Sequence, residues 1–116
     1  MTRDPRDYLE DMLAYAGKTR GFVEGLSFDA FSQDEKTQMA VIRGLEIIGE
    51  AARQAPNDIQ DRFPGIPWRE IVGMRNVLVH AYFGVKLRVV FDTATTFVPE
   101  LIDKLPAIIA EVGTSD

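Results

Sequence analysis

Apolar residues recur at three- and four-residue intervals along nearly the whole chain, and no stretch alternates with period two, so the pattern predicts helices throughout. Tyr8, Leu9, Met12, Leu13, Ala16, Phe22, Val23 and Leu26 trace a first helix from near Pro5 to about Gly25. Gly17, Gly21 and Gly25 share one face of it, and each costs about 1 kcal/mol relative to Ala inside a helix. Close approach of a neighbouring helix would offset that cost; the other reading is a helix that frays near Gly21. Ser27–Phe31 reads as a connecting turn whose Phe28 and Phe31 plug the core. Asp34 is placed to cap a second helix, Glu35 to about Ala55, with Met39, Ile42, Leu45, Ile48, Ala52 and Ala55 turned inward. Pro56-Asn57 breaks it, and Asn57 is placed to cap a short turn through Phe63.

The rigid Pro64-Gly65-Ile66-Pro67 loop then delivers a further helix. Pro67 suits a first helical position, Trp68, Ile71, Val72, Leu78 and Val79 follow at helical spacing, and Gly84 suits a left-handed stop. A last helical pattern covers about Lys86 to Val112, with a kink or break expected at Pro99, Pro106 or both. The expected fold is an all-α, four-to-five-helix bundle with four main helices. One domain, 1–116, is expected, its core about 5–112 and its tail, 113–116, frayed.

Composition narrows the class. Hydrophobic residues make up 46% and charged residues 27%, as in ordinary globular proteins. No apolar run approaches the roughly 18 residues that span a bilayer, so no membrane partner is expected. The charged N-terminus lacks a signal-peptide core, and without Cys there is no disulfide framework or thiolate metal site; a cytoplasmic location is the expectation. The net charge of −5 argues against indiscriminate nucleic-acid binding. Between Arg62 and Phe91, however, Arg62, Arg69, Arg75, Lys86 and Arg88 face only Glu70, a net of +4 that leaves −9 on the rest. Arg69, Lys86 and Arg88 are thus candidates for holding substrate phosphate, against the plainer alternative of a solvated helix face.

The candidate chemistry lies in the Pro67–Val85 stretch, which holds the only Trp and the only His and sets Arg75, Asn76, His80 and Tyr82 into an apolar helix. At 100° per residue, Arg75 and Tyr82 lie nearly one above the other, and Asn76 and His80 form a second stripe. Arg75 and His80 point about 140° apart, so one ideal helix does not aim both at a single phosphate. Two copies about a two-fold axis would, which is a geometric reason to expect a homodimer. A guanidinium that binds phosphate with two hydrogen bonds, and an imidazole whose ordinary pKa is about 6.5, suit attack of an RNA 2′-hydroxyl on its neighbouring phosphate. Asn76 would hold the imidazole in one tautomer or bond a phosphate oxygen. Such a reaction needs no metal and no cofactor. Glu46 and Glu50, four apart, would suit a metal but have no evident third ligand. Structural readings stand beside each role: Arg75 paired with Glu46 or Glu50, His80 as a satisfied core histidine, and Tyr82 half-buried with its hydroxyl in water.

Arg75-Asn76-Val77-Leu78-Val79-His80-Ala81-Tyr82 resembles the R-x4-H-x-Y motif of HEPN-domain proteins, specifically the HepT-like toxins of toxin–antitoxin pairs. Ile47–Ala52 resembles that family's helix-two signature, Ile66–Asn76 its approach to the motif, and Tyr82-Phe83-Gly84 its exit. The resemblance implies a HEPN-like bundle working as a two-fold homodimer and a metal-independent endoribonuclease of a type VII-like system. Arg75 and His80 would be catalytic and Asn76 supporting. Tyr82 would accept AMP from an MNT-type nucleotidyltransferase antitoxin, the added charge and bulk blocking RNA. The chain departs from the family at Val85-Lys86-Leu87-Arg88, where an acidic helix cap is usual, and at Phe91, where Trp is common. A different class stays open: a non-catalytic nucleotide- or partner-binding module, or a plain bundle using the polar stripe at an interface.

Overall fold

A computed structural model describes residues 3–81 and 84–113. All regular structure among these is helical: α1 (Pro5–Val23), α2 (Phe28–Ser32), α3 (Glu35–Gln54), α4 (Asn57–Arg62), α5 (Trp68–His80), α6 (Leu87–Asp92), a π-helical turn (Thr93–Phe97) and α7 (Val98–Gly113). The helical bundle expected from the periodicity is what forms. α3 lies at its centre, packed on α1 and on α5, while α7 covers the other side of α1. Leu9, Met12, Ala16, Val41, Leu45, Ile48, Ala52, Leu101 and Leu105 form the interior between these rods.

Several local expectations change. Phe28–Ser32 is a short helix rather than a turn, because the Ser27 hydroxyl accepts from the Ala30 N–H and caps it. Its aromatics do plug the core: Phe31 is fully buried, with its ring 5.2 Å from that of Phe91. Met39 is 65% exposed instead of inward, since the buried stripe of α3 runs through Val41, Leu45 and Ile48 and Met39 sits about 200° round from Val41. Pro56, in extended geometry, precedes α4, so Asn57 is a helical residue and not a cap. Pro67 likewise caps α5 from just outside, and Trp68 is the first helical residue. Trp68 pins the loop before it by donating from Nε1 to the Phe63 carbonyl at 3.0 Å.

α5 ends at His80, and no left-handed glycine stops it: the one described residue with positive φ is Gly25 (+76°), which closes α1. The expected position of Tyr82 over Arg75 falls on a residue outside the described ones. The disturbance expected from the prolines falls at the π-turn, just before Pro99, where the Val98 N–H donates to the Thr93 carbonyl. The wider turn moves the carbonyls that the Pro99 ring would otherwise strike, while α7 runs on through Pro106.

Glycine also acts elsewhere than expected. At Gly17 and Gly21 an added Cβ would meet nothing within 4 Å, so no neighbour uses them for close approach. α3 carries the close contacts instead. A Cβ at Gly44 would strike Thr19 of α1, and one at Gly49 would strike Arg75 of α5. Two mid-helix glycines thus let α1 and α5 settle onto the backbone of α3.

Candidate functional site

The α3–α5 contact places Arg75. Gly49 leaves room for its Cβ, and the chain then runs beside the next residue of α3, Glu50. Arg75 Nη2 and Glu50 Oε2 lie 3.1 Å apart in an ion pair, and Arg75 Nη1 donates to Asn76 Oδ1 at 2.9 Å. The Arg75 side chain is 23% exposed, against 39% for that of Glu50. The plainer pairing anticipated for Arg75 is therefore made, with Glu50 rather than Glu46.

Glu50 is itself gripped from within α3. Arg53 donates from Nη2 to Oε1 at 2.7 Å and from Nε to Oε2 at 3.2 Å, and Gln54 Nε2 donates to Oε1 at 3.2 Å. The hydrogen bonds from Arg53 and Gln54, with the positive charges of Arg53 and Arg75, hold the carboxyl well below its usual range, at about 2. It is a carboxylate throughout the physiological range.

Arg75 and Glu50 line a groove of about 450 Å³ between α1, α3 and α5. Tyr8, Asp11 and Tyr15 form its α1 wall, and Arg3, Arg43 and Glu46 its margins. The charges balance. Arg3 pairs with Asp11 at 2.9 Å and Arg43 with Glu46 at 3.4 Å, in addition to Arg75 with Glu50. Exposed pairs of this kind are weak, so an incoming phosphate can exchange for a carboxylate at Arg3 or Arg43 at small cost.

The remaining candidates lie apart from this groove. His80 is exposed as the last residue of α5, its side chain making no hydrogen bond to any described residue; it is not a core histidine. Arg75 faces α3 while His80 faces outward, the divergence that helical geometry predicts for residues five apart. Asn76 supports Arg75 and not the imidazole. Arg69 lines a separate cleft with Trp68 and Pro64, and Lys86 an apolar one with Val77 and Val89. Arg88 pairs with Asp92 at 3.4 Å and lies over the Phe28 ring. None of the three shares the groove of Arg75. Among the described residues no three His, Cys, Asp or Glu side chains gather where a metal would sit.

The sequence offered Glu46 and Glu50 equally as partners for Arg75 and gave Gly49 no role, although Gly49 and Glu50 stand together in the Ile47–Ala52 stretch. A glycine beside an acid in mid-helix was the available signal. Nothing local marks Arg3, Tyr8, Tyr15 or Arg43 as groove residues.

Comparison with known proteins bears on what this groove belongs to. Residues 12–108 match the family described as "Ribonuclease HepT-like". A Thermococcus cleftensis protein named "Probable ribonuclease HepT" is 47% identical over 104 residues, covering 90% of this chain and 94% of that one. "Putative RNase MJ0127" of Methanocaldococcus jannaschii is 36% identical over 114 residues, covering 98% and 94%. "Putative RNase TTE0752" of Caldanaerobacter subterraneus subsp. tengcongensis is 38% identical over 107 residues, covering 92% and 96%. No solved structure gives a significant match. With likeness running through nearly the whole of both chains in each pair, the chain belongs to the HepT-like ribonuclease family.

Proposed function

We propose that this protein is a metal-independent endoribonuclease, the toxin of a toxin–antitoxin pair, acting as a homodimer through Arg75 and His80. The observation that carries the reading is the fixed placement of Arg75 in a groove, held by Glu50 and Asn76, with a histidine exposed five residues further along the same helix. Family membership supplies the reaction class. In a two-fold pair of α5 helices, the His80 of one copy approaches the groove that holds the Arg75 of the other, which answers the divergence of the two side chains within one protomer.

In the reaction, His80 takes the proton of a ribose 2′-hydroxyl as that oxygen bonds to the adjacent phosphorus. The bond from phosphorus to the 5′-oxygen breaks, and the departing oxygen is protonated, leaving a 2′,3′-cyclic phosphate and a 5′-hydroxyl. Arg75 stabilises the charge that grows on the non-bridging oxygens. An MNT-type nucleotidyltransferase antitoxin silences the enzyme by adding AMP to Tyr82. The setting is cytoplasmic; no described helix is long and apolar enough to cross a membrane.

The test is cleavage of labelled RNA by purified protein in excess chelator, with end-group analysis of the products. Arg75→Ala and His80→Ala each abolish cutting while circular dichroism stays unchanged. Equal cleavage by His80→Ala overturns the catalytic assignment. For the antitoxin, co-expression with the nucleotidyltransferase adds AMP mass steps that Tyr82→Phe removes. One observation favours the second reading, a non-catalytic nucleotide- or partner-binding module: every arginine lining the groove already has a carboxylate partner. That reading predicts no cleavage by the wild-type protein at any concentration.

A further inference from the structure

We infer that Glu50 is a positioning residue for Arg75, fixing the guanidinium so that its uncommitted N–H groups are presented to substrate phosphate in the groove. The purpose assigned to this arrangement rests on the ribonuclease reading above; the arrangement itself rests on geometry.

Three contacts converge on one side chain. The bare backbone at Gly49 receives the Cβ and Cγ of Arg75 and so sets where its stem leaves α5. Glu50 then holds Nη2, and Asn76 holds Nη1. An ion pair at one terminal nitrogen and a hydrogen bond at the other restrain rotation about the Nε–Cζ bond. A guanidinium has five N–H groups. Among the described residues its one hydrogen bond is to Asn76, so others remain for a phosphate.

Glu50 is suited to this because it is itself held. Arg53 grips it with two hydrogen bonds and Gln54 adds a third, all within α3. Held as an anion by these neighbours, it keeps its charge at any working pH. A lone surface ion pair would leave both partners free to reorient. Here the carboxylate is anchored first and the arginine second, so the rotamer freedom of Arg75 is lost on folding rather than at the transition state.

The experiment compares wild type, Glu50→Gln and Arg75→Ala as full-length proteins on a defined single-stranded RNA, with Tm measured for each. It also records the side-chain Nε–H and Nη–H resonances of Arg75. Glu50→Gln is expected to lower kcat about 10- to 100-fold, as misplacement of a catalytic group by about an ångström does. KM stays within about twofold, because the lost interaction is one realised in the transition state. The restrained Arg75 Nη–H signals of the wild type collapse to the averaged pattern of a freely rotating guanidinium. Wild-type kcat in Glu50→Gln overturns the inference. So does a lowered KM with kcat retained, which would make Glu50 a competitor of phosphate and not a support. Full activity in Arg75→Ala removes the catalytic role of Arg75 instead, and no cleavage by the wild type removes the ribonuclease reading; in either case the resonances of Arg75 in Glu50→Gln decide the geometric part alone.

Discussion

Gly49→Ala places the contact between α3 and α5 under a direct test. The new Cβ would collide with Arg75 Cβ, and it would lie 2.9 Å from Arg75 Cγ and 3.2 Å from the Ile71 carbonyl oxygen. The first two atoms belong to the stem of the side chain and the third to backbone, so none swings aside easily. α5 must move off α3. Overpacking of this kind costs about 1–3 kcal/mol. Replacing a mid-helix glycine by alanine returns about 1 kcal/mol of helix propensity. The net is a loss of about 0–2 kcal/mol, which lowers Tm by up to about 8 °C for a domain of this size. Gly17→Ala serves as the matched control. Its Cβ meets nothing within 4 Å, so only the propensity gain applies and Tm rises by up to about 4 °C. Thermal unfolding by far-ultraviolet circular dichroism, at one protein concentration for all variants, reads both. The gap between the two substitutions isolates the collision, because the propensity gain is common to them. If Gly49→Ala stabilises as much as Gly17→Ala, α5 does not rest on α3 as described, and the placement of Arg75 loses its basis.

Other expectations follow from single contacts. The Glu50 carboxyl titrates at about 2 in the folded chain against an ordinary 4.5, so its contribution to stability is full above about pH 4.5 and is lost as the pH falls toward 2. Acid titration of Tm in Glu50→Gln should be flatter than wild type across that window; an identical acid limb means the pairing adds nothing. Asp34→Ala removes the cap of α3, whose oxygens accept from the Thr37 N–H at 3.1 Å and from its hydroxyl at 2.6 Å. It should cost about 1 kcal/mol and leave RNA cleavage unchanged, as read by urea unfolding and an activity assay. Phe31→Ala empties a fully buried site against Phe91, and a loss of about 3–5 kcal/mol in the same urea experiment is expected. A loss under 1 kcal/mol would show that the α2 aromatics are not part of the interior.

The fold class was legible because helix formation leaves a local trace. Leu9, Met12 and Ala16 fall on one face of α1 whatever α1 touches, and Asp34 caps α3 through an N–H three residues away. The same locality brought out Arg75, Asn76 and His80 as a set and foretold that the first and last diverge, since α5 alone fixes their angle. Boundaries were less legible where more than one residue fitted a role, as with Gly84, which proved not to be the stop of α5.

What only the packed structure decided is which partners these side chains have. Gly17 and Gly49 look alike in sequence; one faces open space and the other lies under Arg75, a difference set by where α5 crosses α3. Glu46 and Glu50 were equal candidates to pair with Arg75 until that crossing put Glu50 3.1 Å from it, with Arg53 and Gln54 closing on its other oxygen. Asn76 read as a holder of the imidazole or a ligand of phosphate, and its contact in the folded chain is with Arg75. The physical reason is one of range. Periodicity, capping and side-chain angle are properties of a single helix and are written within a few residues, whereas the register of one helix on another comes from the shape of both surfaces at once.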